Sequence, residues 1–469
     1  MRDRKFVDQA RRMLCVFGLS ISFLFGCGSS DSGGGGNSTG RIQMINGIID
    51  TPNLSVEISD SDGDVIETIS GLSFQNASAL LSLSRGTYEV DVYYEDPDTG
   101  FEERLLSGEI DVRRNTIYIG LLNGVFADSQ LTWHEKDEGD VTDTDDEIEL
   151  QAINLSSDSM SVYLGDTSQA LNAETLIATV APGNVSDPVT FDYDDDADYH
   201  IRLTADGSTD LVYDSSVISI AESTRNLVLI NDSIGPDPDS RSVSLVRDSN
   251  TTSHPNDLAR AGFQVVNAVS DAVDVSVVVE VSATADELLD SLLLPDEVSP
   301  LIVVDPEFVD VEVLAPSDAT SSNTTTVSMG ADTAYSILVA GASLEDDVSI
   351  RANEMDLRRV ANSINIHFVN GLRETDDEDV NDVDVYALPL GDSLSETTPS
   401  ATGVGYLEGT SVIVGATPYD LVVTTAGTLS ILAGPARIFP EGGERVIAIA
   451  TEAAGGGRPF KIELAIDAD

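Results

Sequence analysis

Four short stretches decide how this chain is read: Ile42-Gln43-Met44-Ile45-Asn46, Leu150-Gln151-Ala152-Ile153-Asn154, Phe263-Gln264-Val265-Val266-Asn267 and Ile366-His367-Phe368-Val369-Asn370. Their asparagines lie 108, 113 and 103 positions apart, and self-similarity at a steady period marks a repeat protein. Working outward, each opening is followed by a second strand-like run, at 54–58, 160–164, 273–277 and 383–387. A third run falls at 88–92, 199–203, 309–313 and 419–423, and a last one at 118–122, 227–230, 335–339 and 446–449. Apolar and polar residues alternate within the second and third runs, which puts one face of a strand in a core and the other in water. The alternation predicts that Tyr88, Val90 and Val92 point inward, with Glu89 and Asp91 outward.

Turn chemistry agrees, with Asp62-Gly63 between two strand-like runs and Arg85-Gly86-Thr87 before another. The fold class expected is therefore all-β: four tandem antiparallel β-sandwiches, immunoglobulin-like or related, over residues 41–126, 148–235, 261–343 and 361–466. Acidic segments rich in Ser, Asp and Pro at 127–147, 236–260 and 344–360 read as linkers. Each repeat is long enough for a core of its own. The expectation is an elongated string, with side-by-side docking as the other arrangement. One stretch, 285–294, places Leu288, Leu289, Leu292 and Leu293 at helical spacing and reads as a short helix or an irregular loop.

Among the 469 residues, 82 are acidic and 24 basic, a formal charge of -58. Such a polyanion repels nucleic acid and anionic lipid, so nucleic-acid function is excluded. Only Lys5, Lys136 and Lys461 are lysines, the look of a salt-adapted surface. Cys15 and Cys27, both near the start, leave the rest of the chain without a disulfide framework or a thiolate metal site.

The first 12 residues carry Arg2, Arg4, Lys5, Arg11 and Arg12, and an apolar run follows over 13–26. That order is a secretory signal, too short to remain as a membrane span. The stretch Leu24-Phe25-Gly26-Cys27 resembles a bacterial lipobox, which implies a signal peptide over 1–26 and lipid attachment, palmitate included, at Cys27. A Gly/Ser-rich tether over 27–40 follows. Gly28 stands where such signals carry the aspartate that retains a lipoprotein at the inner membrane, so the resemblance implies an outer-membrane address, on its periplasmic or its cell-surface face.

The repeats also resemble the bacterial envelope domains known as domain of unknown function 4397, whose first strand ends in Val-His or Val-Asn. That family runs on through a Val-Asp-Val-Tyr strand and a Gly-Thr-Tyr strand. The first repeat matches through Gly86-Thr87-Tyr88, the third through Val265-Val266-Asn267 and Val273-Asp274-Val275, the fourth through Val383-Asp384-Val385-Tyr386. The second matches loosely. The resemblance spans 41 to about 466, implies a sandwich, and brings no catalytic motif.

No convergent set of acid, base and nucleophile is present in the sequence, so no enzyme is expected. His134, His200, His254 and His367 fall in different repeats or linkers at no ligand spacing. Clustered carboxylates are the remaining chemistry: Asp60, Asp62 and Asp64; Asp192, Asp194, Asp195, Asp196 and Asp198; Asp140, Asp143, Asp145 and Asp146; and 374–384. Oxygen ligands on loops suit weakly held calcium, with solvated turns as the plainer reading. No cofactor is otherwise expected. The expected function is a non-enzymatic envelope lipoprotein, structural or adhesin-like, whose partner is an envelope or extracellular protein or a polysaccharide. A periplasm-facing scaffold or carbohydrate-binding protein is the alternative.

Overall fold

A computed structural model describes residues 39–96, 101–137, 147–166, 170–171, 174–194, 196–221, 224–247, 250–270, 275–294, 296–314, 322–341, 348–373, 382–453 and 457–466. The signal, Cys15, Cys27 and nearly all of the tether lie outside the described residues, as do Asp140, Asp143, Asp145, Asp146, Asp195 and 374–381. The protein is all-β, and residues 39–469 form one compact unit.

In the first repeat the strands are β1 (Thr39–Asn46), β2 (Leu54–Ser59), β3 (Val65–Leu72), β4 (Leu81–Ser84), β5 (Gly86–Asp96), β6 (Phe101–Val112), β7 (Thr116–Asn123) and β8 (Gln130–Asp137). They form two sheets, ordered β4-β1-β7-β8 and β3-β2-β5-β6. Along β5 the side chains of Tyr88, Val90 and Val92 are buried between the sheets while Glu89 is exposed and Asp91 half-exposed, as the alternation predicts. Within each sheet β4 runs against β1, β8 against β7, and β3 and β5 against β2. Placing β7 beside β1 makes that pair parallel, Arg41 opposite Ile117 through Asn46 opposite Leu122. The sandwich is thus antiparallel except for one pair. Its strand order also differs from the immunoglobulin split of A-B-E-D against C-F-G, so the topology is of the related kind.

The other repeats keep this plan. Glu147–Asn154 pairs in parallel with Thr224–Asp232, Ala261–Val269 with Ala334–Gly341, and Ser363–Asn370 with Arg445–Thr451. The segments read as linkers carry the closing strand of each sheet instead: β8 in the first, Arg241–Arg247 and Asn250–His254 in the second, Ser349–Met355 in the third. Their polar composition fits edge strands with one side in water. Stretch 285–294 is a strand, Glu287–Leu293, paired with Val275–Val281. Ala285 turns the chain back at φ 55°, and the open edge of a valine-rich strand overrides leucine's helical preference.

The four asparagines are struts across the sandwich, each with none of its surface exposed. Asn46 Oδ1 accepts the Ile48 N–H at 3.0 Å, while its Nδ2 donates to the Leu72 carbonyl of the opposite sheet at 3.1 Å. Asn154 does the same between Ser156 N and Val180 O, Asn267 between Val269 N and Leu293 O, and Asn370 between Leu372 N and Val404 O. The side chain thereby fixes the crossover from the first strand to the second and closes two backbone groups that would otherwise be buried unpaired.

Candidate functional site at the paired faces

The repeats are not strung out. The outer faces of β1 and β7 pack on the matching strands of the second repeat through Ile45, Ile119, Leu121, Ile153, Leu227 and Leu229. The third and fourth repeats pair through Val266, Ala268, Leu338, Val369, Ile447 and Ile449. Both approaches are close, and glycine stands at each. A Cβ on Gly47 would lie 2.5 Å from the Leu155 side chain, and one on Gly371 would lie 3.1 Å from Ala268 Cβ. Smaller contacts join the pairs: Ala361 N–H donates to Asp50 O at 2.8 Å, and Ser233 Oγ–H to Asp332 Oδ1 at 2.5 Å.

Polar groups are built into these faces. Lys136 and Glu149 form a salt bridge across the first pair with both side chains 4% exposed, and Arg225 Nε lies 3.3 Å from the same carboxylate. Arg225 also donates to Gln151 Oε1 at 3.1 Å. In the second pair His367 takes the place of that glutamine. Its ring bridges Ser336 of the third repeat (2.7 Å from Nε2) and Ser411 of the fourth (2.9 Å from Nδ1). Burial pushes the imidazole down to about 4, so it is neutral. Asp332, at the contact between second and third repeats, is pushed up to about 6 by burial, against the Ser233 hydrogen bond and with help from Asp237.

Inside the second repeat, Arg202 pairs with Glu174 and Asp214 and His200 joins them by hydrogen bonding, with His200 Nε2 2.8 Å from Glu174 Oε1 and Arg202 Nε 2.9 Å from Asp214 Oδ2. His134 and His254 lie apart from it, on β8 and on Asn250–His254, each lowered by partial burial.

Among the described acidic candidates, those at 60–64 and 192–198 lie at turns. Asp60 Oδ1 accepts the N–H groups of Asp62 at 3.0 Å and Asp64 at 3.1 Å around Gly63, whose φ of 83° closes the hairpin. Asp194 Oδ1 accepts from Asp196 N at 3.0 Å, and Asp192, Asp194, Asp196 and Asp198 are all exposed. Among the described residues no three His, Cys, Asp or Glu side chains are placed to hold one metal ion. Asp384, within 374–384, is buried and accepts the N–H groups of Gly403 at 2.9 Å and Gly427 at 2.7 Å.

Several clefts open where repeats meet, among them two that are lined by both apolar and polar side chains. One of about 470 Å³ lies between the first and second repeats, lined by Ile49, Phe74, Asn123, Leu155, Asn231 and Asp232 among others. Another of about 430 Å³ lies where the second, third and fourth meet, around Asp332, Met355 and Ser411. Sequence reading missed Asn231, Lys136 and Glu149. The signal it could have used is β7, Thr-Ile-Tyr-Ile-Gly-Leu-Leu, which is apolar at nearly every position rather than alternating and so is buried on both faces.

Fold and paired faces define a tandem β-sandwich protein whose repeats are fused through their sheets. Residues 40–165, the whole first repeat and the opening strands of the second, match the family model described as "Domain of unknown function (DUF4397)". That match bears out the family resemblance over this segment. No curated protein matches the sequence. Among solved structures, the Bacillus anthracis TIE protein matches at TM-score 0.17 and 7% identity, over 86% of this chain and 69% of that one. A putative cell adhesion protein from Bacteroides fragilis matches at TM-score 0.12 and 8% identity, over 45% and 98%. The pilus adhesin SpaC from Lactobacillus rhamnosus GG matches at TM-score 0.17 and 9% identity, over 89% and 53%. The last two are adhesion proteins by name, and TM-scores this low carry no function across.

Proposed function

We propose that this chain is a non-enzymatic bacterial envelope lipoprotein, held at the outer membrane by lipid on Cys27 and acting as a structural or adhesin-like binding module. The observation that carries the reading is the fusion of four sandwiches into one compact body behind a leader with lipoprotein character. Such a body presents surfaces rigidly at the end of a tether. Many of its buried polar groups serve as struts, salt bridges and turn closures. The excess of acidic residues, which gives the whole chain a charge of -58, keeps the body off anionic surfaces, so the lipid alone supplies attachment. Among the described residues no helix is long and apolar enough to cross a membrane.

Fractionation of cells carrying Cys27→Ala tests the anchor: the variant is expected in the soluble fraction, and one that stays with membranes overturns the reading. Protease shaving of intact cells then separates a surface module, which is cut, from a periplasm-facing scaffold, which is not. Carbohydrate binding is the second reading, and the cleft between the first two repeats favours it. The exposed rings Phe101, Phe308 and Phe439 fall on three different repeats, or just beyond their strands, and form no common platform along one sheet.

A further inference from the structure

Asn231 sits on the outer face of Thr224–Asp232, two positions beyond Leu229 of the apolar contact, and lines the 470 Å³ cleft. It is 1% exposed, and neither its Oδ1 nor its Nδ2 has a hydrogen-bond partner among the described residues. A buried amide with both ends open is costly and rare. Register shows what the position ordinarily holds. Asn46 opposes Leu122 and Asn154 opposes Ile230, so Asn123 and Asn231 are equivalent residues on the two facing sheets. In the second pair the same positions are Ala340 and Thr451, both buried, with Ala340 inside the apolar contact. The first pair thus carries two amides where the second carries none, and the 470 Å³ cleft opens onto them.

The lining selects among ligands. Asp232 is its carboxylate, and that group already accepts from Ser157 N at 3.2 Å and lies 3.4 Å from Arg241 Nε, so the cleft offers no free charge to a cation. An anion meets the field of an acidic protein. A wholly apolar ligand leaves Asn231 unpaired. A peptide could extend neither β7 nor Thr224–Asp232, each paired on both sides, and of the edge strand β8 only Gln130 and Thr132 reach the lining. What remains is a compact neutral ligand with adjacent donors and acceptors and an apolar face. A volume of about 470 Å³ lies within the usual range for such sites.

We propose that the cleft between the first two repeats binds a neutral hexose residue, free or displayed on a polysaccharide. The Asn231 amide would bond a pair of its hydroxyls, with Phe74 and Leu155 against the ring's apolar face. This rests on reading the chain as a binding module and gives that module a ligand class. Full-length protein is dialysed to equilibrium against glucose, galactose, mannose and N-acetylglucosamine in turn, with glucuronate and N-acetylglycinamide as charged and peptide-like controls. Saturable binding of at least one neutral sugar is expected, with at least a tenfold loss in Asn231→Ala and in Gln130→Trp, whose indole would fill the mouth from an exposed lining position. Asn231→Ala should melt no lower than the parent, because alanine fills the equivalent place in the third repeat. A neutral glycan carrying the best sugar separates the two sources: it binds if the residue is taken from a polysaccharide, and only the free sugar binds otherwise. The proposal is overturned if no neutral sugar saturates, if binding survives unchanged in both variants, or if N-acetylglycinamide binds in place of the sugars. Membrane retention through Cys27 is measured separately, so failure here leaves the anchor reading standing.

Discussion

Asp332→Asn should stabilise the protein at neutral pH and do far less at pH 4. Burial raises this carboxyl from 3.8 to about 6, so the folded chain holds the proton more tightly than the unfolded one. The stability this contributes is complete below the unfolded value and is lost as pH rises through the folded one. A difference of about two units corresponds to about 3 kcal/mol at pH 7, an upper figure for a group that keeps some contact with water. Asparagine cannot ionise, so the variant avoids that loss. It can still accept from Ser233 Oγ, and it tolerates the left-handed backbone at φ 58° better than other residues do. The measurement is urea unfolding of parent and variant at pH 4 and pH 7. The gain should be about 1–3 kcal/mol at pH 7 and shrink to about 0.5 kcal/mol or less at pH 4. An equal change at both values, or destabilisation at pH 7, would refute the assignment of the raised proton affinity to Asp332.

The second pair should respond to acid in the opposite sense. Neutral His367 is favoured by the fold, so its contribution is present above the unfolded value near 6.5 and is lost toward about 4; His367→Gln, the residue its counterparts carry, should flatten unfolding midpoints between those values. Glu149→Leu strands Lys136 and Arg225 together and should cost about 3–5 kcal/mol in urea unfolding, whereas Lys136→Met should cost less because Arg225 still faces the carboxylate. Asn370→Ala leaves Leu372 N and Val404 O unpaired, and calorimetry should register a loss of about 1–3 kcal/mol. Sodium chloride should raise the melting temperature by screening, and calcium should match magnesium at equal ionic strength; a large rise with calcium alone would point to a site among the acidic turns.

The sandwich was legible because its determinants are local. Period-two runs such as 88–92 name their own buried face, and four asparagines at a steady period announce one structural role that the hydrogen bonds then explain. The closing strands were illegible because an edge strand with one side in water needs no apolar alternation, so acidic and Ser-rich segments read as linkers. The cleft was illegible for another reason. Asn123 and Asn231 look like ordinary strand-end polar residues until the register sets them on two sheets that face each other.

That facing arrangement changes what a repeat is. If the repeats were beads on a string, each first and last strand would carry one apolar face toward its own core and one polar face toward water. Instead β1 and β7 direct Ile42, Met44 and Tyr118 into the sandwich and Ile45, Ile119 and Leu121 out of it. Cut free, the first repeat would present that second apolar face to solvent, and the buried Lys136 would lose Glu149. The smallest self-sufficient piece is therefore a pair of repeats rather than one, with the two pairs joined by smaller contacts at Asp50 and Asp332. Acid strengthens the joint at Asp332 and weakens the second pair at His367. The body thus has two titrating seams of opposite sign, and near pH 5 the changes in their contributions oppose each other.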